Sequence, residues 1–86
     1  MRRIFLNAVR LQGKETAHAY LQKRFRMPEY TGHNLDALYD VLSSLGQETV
    51  LYLMKTESAD AYGERIIDTM LEAADANPRL QVIRLS

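Results

Sequence analysis

Residues 34–54 read NLDALYDVLSSLGQETVLYLM, and the periodicity of this stretch changes halfway along. In its first half Leu35, Leu38, Leu42 and Leu45 recur at three- and four-residue steps, the spacing of an amphipathic helix. Asn34 is a good N-cap for that helix, and Gly46 is placed to end it. In the second half TVLYLM (49–54) is a near-continuous apolar run, as expected of a strand covered on both faces. A helix feeding directly into such a strand is a unit of a layered α/β fold.

The flanking segments extend the same alternation. Towards the N-terminus, RRIFLNA has the β-branched and aromatic content of a short strand. After Gly13, KETAHAYLQKRF places Ala17, Tyr20, Leu21 and Phe25 on one helical face, with Pro28 expected to end the helix. Towards the C-terminus, Ile66, Ile67, Met70, Leu71 and Ala74 share a stripe, with Ser58 or Asp60 as candidate cap. Asn77-Pro78 should stop that helix, and LQVIRLS follows as a terminal strand. The order strand, helix, helix, strand, helix, strand requires helical crossovers. It predicts a three-stranded parallel sheet with three main helices packed on it, in one domain spanning 1–86.

Composition bounds the function. At 86 residues the chain is too short for two cores, and its 47% apolar content is that of an ordinary globular protein. Without cysteine it has neither disulfides nor thiolate metal sites, which suits a reducing compartment. The apolar run after Arg2-Arg3 stops at Asn7, short of a signal sequence, and no stretch reaches transmembrane length; a cytoplasmic protein is expected. The formal charge of zero hides an asymmetry: residues 1–26 hold seven basic side chains and one acidic, residues 27–86 four basic and ten acidic. Folding could keep the two segments apart or mix them. The asymmetry argues against nucleic-acid binding through the acidic segments.

No glycine-rich phosphate loop, serine nucleophile elbow or zinc helix motif is present. His18, beside the apolar face of the first helix, reads as a packing residue. His33, Asp36 and Asp40 could form a metal or acid/base site, but no third carboxylate or histidine stands nearby to complete it. Asp36 falls at the second helical position, where the helix dipole favours a carboxylate. Asp40 lies past the first turn, one turn from a like charge, and has no such local reason. Tyr39 falls off the leucine stripe and should point partly to solvent. Tyr30, Asp36, Tyr39 and Asp40 thus describe an aromatic and acidic face on a rigid helix, suited to a concave, positively charged pocket of the kind that holds phosphodiesters.

The stretch MPEYTGHNLDALYDVL (27–42) resembles the central motif of the barstar family of ribonuclease inhibitors. Pro28, Glu29, Tyr30, Gly32, Asn34, Leu35, Asp36, Ala37, Leu38, Asp40 and Leu42 all match without gaps, and the likeness extends more weakly along the chain. The resemblance implies an intracellular immunity protein, not an enzyme and without cofactor or metal, that blocks a barnase-type ribonuclease. It would lay the second helix and the preceding loop across the nuclease active site. Tyr30, Gly32, Asn34, Asp36, Tyr39, Asp40 and Glu64 would contact the partner, with Asp40 in the place of a substrate phosphate. A monomer forming a 1:1 complex is expected, with no nucleic acid or membrane involved. The alternative is a module of the same fold that neutralises a different toxin or nuclease. Tyr39 stands where the family has tryptophan, His33 replaces an acidic residue, QETV after Gly46 lacks the family's proline, and the net charge is neutral where the family is acidic. The last of these weakens long-range steering towards a basic enzyme.

Overall fold

A computed structural model describes residues 1–26 and 32–85. The elements follow the expected order: β1 (Arg2–Asn7), α1 (Lys14–Phe25), α2 (Leu35–Ser43), β2 (Thr49–Met54), α3 (Ala61–Ala76) and β3 (Leu80–Arg84). Short 3-10 turns, Ala8–Arg10 and Thr56–Ser58, follow β1 and β2. The strands form a parallel sheet in the order β1-β2-β3. This is the α/β architecture read from the periodicity.

One face of the sheet carries the core. Ile4 and Leu6 of β1, Leu51 and Leu53 of β2 and Leu80 of β3 join Leu21 and Phe25 of α1, Leu38 and Leu42 of α2, and Ile66, Ile67 and Met70 of α3 in a continuous apolar cluster. Residues one step away along each strand point to the opposite face. There Phe5, Tyr52 and Ile83 stand in register across the three strands, outside the core, and Phe5 remains 46% exposed with its ring stacked on Tyr52 at 4.7 Å. The expectation that β2 is covered on both faces is therefore corrected. Helices cover one side; on the other, cross-strand packing leaves Val50 5% exposed and Tyr52 half-buried, while Phe5 of the edge strand stays open to solvent.

The element ends show which local signals operate. Asp60, not Ser58, caps α3: its Oδ1 accepts from Gly63 N at 2.7 Å, while Oδ2 accepts from Gly13 N at 3.1 Å just before α1. At Gly63 a β-carbon would lie 2.6 Å from the Leu11 carbonyl oxygen, so α3 approaches the β1–α1 connection as closely as only glycine permits. Helix α1 ends at Phe25 through Arg26 in the left-handed conformation, before Pro28 is reached. Helix α2 ends at Ser43 with Ser44 as cap, so Gly46 is not its terminator, and Gly46 does not take a positive φ. On α3, Leu71 is 38% exposed, and Ala73 takes the inward position between Met70 and Asn77. The stripe rotates by one residue near the helix end.

Two arginines lace α1 to β1. Arg24 donates from Nε and Nη2 to the Phe5 carbonyl at 3.2 and 2.9 Å, and Arg2 donates from Nη2 to the Phe25 carbonyl at 2.9 Å.

Candidate functional site

The acidic face is built on α2, and both ends of that helix are tied down. At its start Asn34 has an extended backbone, and its Oδ1 accepts from Ala37 N at 2.8 Å, the N-cap read from the sequence. Gly32 is close beside it. A β-carbon there would meet Asn34 Nδ2 at 2.8 Å, so a side chain at position 32 would displace the cap. At the far end Asn77, only 4% exposed, donates from Nδ2 to the carbonyls of Leu42 and Leu45 at 3.0 and 3.1 Å. Leu42 belongs to the last turn of α2, whose carbonyls a helix end leaves short of intrahelical partners, and Leu45 lies just beyond it. Asn77 read only as a stop signal for α3. Its bond to a residue 35 positions away has no local signature.

Leu38 and Leu42 bury the inner face of α2. Tyr39 is half-buried and packs against the core with part of its ring to solvent, as its place beside the leucine stripe predicted. Asp36 and Asp40 are exposed. Neither carboxylate accepts a hydrogen bond or forms an ion pair among the described residues. Asp36 lies at the rim of a hollow of about 350 Å³ lined also by Lys14, Asn34, Leu35, Tyr62 and Arg65, so basic side chains flank it without pairing. Glu64 is exposed in the first turn of α3, where a carboxylate complements the helix dipole. Tyr30 lies outside the described residues.

His33 turns away from this acidic face. Its Nε2 donates to Gln22 Oε1 at 2.6 Å, and its Nδ1 is 3.5 Å from Glu15 Oε2, so both ring nitrogens are directed at α1. The constellation that joined His33 to Asp36 and Asp40 loses its histidine by this orientation. Among the described residues no three His, Asp or Glu side chains are placed to hold a metal ion.

The same histidine belongs to a cluster that spacing alone did not disclose. His18 is 4% exposed on α1, shares a 2.6 Å hydrogen bond between Nε2 and the Tyr62 hydroxyl of α3, and meets that ring edge-on at 5.5 Å. Its other neighbour is the His33 ring, stacked at 6.1 Å. The cluster joins α1, α3 and the turn before α2. Burial first, then the nearby His33 and Lys14, hold His18 below the usual imidazole value of 6.5, with Glu15 opposing. Burial raises the Tyr62 phenol above its ordinary value, with Arg65 opposing. His18 read as a packing residue; it is one, with a specific partner. The signal missed was its pairing with residues 15 and 44 positions away.

Among the described residues no helix is long and apolar enough to cross a membrane. No curated protein matches the chain. The family model described as barstar, the barnase inhibitor, matches residues 1–83. A match over nearly the full length, on a three-stranded parallel sheet with the matching motif at the start of α2, means that the chain belongs to the barstar family.

Proposed function

We propose that this protein is an intracellular inhibitor of a barnase-type ribonuclease. It would act by occlusion, without catalysis or cofactor, as a monomer in a 1:1 complex. The observation that carries this reading is the Asp40 carboxylate: exposed at the middle of a helix tied at both ends, and free of every described partner. A fixed anion without an internal role suits a pocket built to hold phosphate, where arginine and histidine donors would meet the carboxylate in place of a phosphodiester. In this reading Asp36 and Glu64 supply flanking charge, and Tyr39 supplies an adjoining aromatic surface. Asn34 and Gly32 set the entry to the helix, and Tyr30 contacts the partner from the preceding loop.

The test is titration of a barnase-type ribonuclease with the protein and with Asp40→Ala. Stoichiometric inhibition that is strongly weakened by the substitution is expected. An absence of inhibition, or equal inhibition by both proteins, would refute the mechanism.

A further inference from the structure

The charge asymmetry of the sequence has a location in the fold. Arg2, Arg3, Lys23, Arg24 and Arg26 line one open cleft of about 770 Å³, where the start of β1 meets the last turn of α1. Five of the seven basic residues of the first 26 positions meet there, and among the described residues no Asp or Glu lines it. None of the five forms an ion pair with a described residue. The helix dipole accounts for Lys23 and Arg24 at the end of α1. It does not account for Arg2 and Arg3, which come from the sheet. Like charges gathered in one hollow repel one another, a cost that a bound polyanion removes.

The cleft's chemistry narrows the ligand. Ile4 and Phe25 form its floor, but both are buried, so it offers little of the apolar surface a protein interface needs at its centre. Four of its five cations are arginines, whose planar fork matches phosphate oxygens in pairs. Arg2 and Arg24 are fixed in place by their bonds to the Phe25 and Phe5 carbonyls, whereas the side chains of Arg3, Lys23 and Arg26 are exposed and make no hydrogen bond to a described residue. Beside the cleft lies the open face of the sheet. Phe5 is two residues from Arg3 on β1 and so shares its face, 46% exposed. A basic groove adjoining an exposed aromatic ring is the arrangement that holds single strands: phosphates on the cations, a base against the ring.

We propose that this cleft binds the sugar-phosphate backbone of single-stranded nucleic acid, with a base resting on Phe5. Asp36, Tyr39, Asp40 and Glu64 do not line the cleft, so the site is separate from the inhibitory face. The family resemblance implies no nucleic-acid partner, and this proposal departs from that expectation on the strength of the basic cleft.

The experiment is fluorescence anisotropy with labelled ten-residue oligouridylate and oligothymidylate on the full chain, over a salt series. Saturable binding of both is expected, since the cleft shows no feature that would read a 2′-hydroxyl. The logarithm of affinity should fall with that of salt at a slope between about −2 and −3.5, for three to five engaged phosphates. The variant Arg3→Gln/Lys23→Gln/Arg26→Gln, which removes no side-chain hydrogen bond to a described residue, should bind at least about tenfold more weakly with a flatter slope, while its circular dichroism keeps the native form. Phe5→Ala should weaken the oligonucleotides about tenfold and leave inorganic polyphosphate unchanged. No saturable binding at about 50 mM salt, or unaltered binding by the triple variant, overturns the proposal. Polyglutamate binding as tightly as oligouridylate overturns it in favour of an acidic protein surface. Equal loss of polyphosphate and oligonucleotide binding in Phe5→Ala overturns the base contact.

Discussion

The start of α3 and the middle of α2 each present an aspartate, and the two are held in opposite ways. Asp60 spends both carboxylate oxygens on backbone N–H groups, one in its own helix and one before α1. Asp40 spends neither on any described residue. The first is part of how the chain folds. The second is supported by the fold and contributes little to it. A carboxylate with satisfied oxygens reports on architecture; one left bare on a rigid element is available to a partner.

The largest effect that would break this contrast is on binding. Asp40→Ala should weaken the ribonuclease complex by about 3–5 kcal/mol, the usual consequence of removing one partner from a buried charge pair, read as a hundredfold or greater rise in Kd. Asn77→Ala addresses the support instead. It leaves the Leu42 and Leu45 carbonyls without their side-chain donor and should destabilise the protein by about 1–3 kcal/mol in denaturant unfolding. Asp60→Ala removes a cap together with a link to α1, and a loss of about 1–2 kcal/mol is expected in the same assay. Asp40→Ala in that assay should fall within about 0.5 kcal/mol of the wild type, or slightly above it, because the repulsion from Asp36 is relieved. A large loss there would mean a structural role for Asp40 and would erase the distinction.

A subtler effect concerns the histidines behind α2. Folded His18 binds its proton less readily than it would in the unfolded chain, whose value is near 6.5. The unfolded state therefore takes up more protons as pH falls, so the stability associated with His18 is full above 6.5 and declines below it, levelling off under the folded value. His18→Gln should flatten this part of the pH profile of unfolding, measured between about pH 7.5 and 5. An unchanged profile would show that His18 does not change its protonation on unfolding.

What the sequence made legible was local. Asn34, Leu35, Leu38 and Leu42 announced α2 because a cap and a 3.6-residue stripe lie within a few positions of each other. Asp40 stood out for the same reason, since the absence of a local role can be read from spacing. The misread points depend on distance. TVLYLM could not reveal that Tyr52 faces an open sheet layer, because a run of apolar residues looks the same whether one face or two are covered by helices. Gly46 carried the composition of a helix stop, yet Ser44 and the reach of Asn77 finish α2 without it. The charge asymmetry was plain, but its meaning depended on Arg2 and Arg26 meeting across the β1–α1 junction.

The bond from Arg24 to the Phe5 carbonyl carries one more consequence. β1 is an edge strand, and an unpaired carbonyl on such an edge is an invitation for a foreign strand to add on. By occupying that acceptor with two donors, Arg24 acts as a guard against intermolecular sheet growth. A side chain at the border of the basic cleft thereby also helps keep a small, half-open sheet from polymerising.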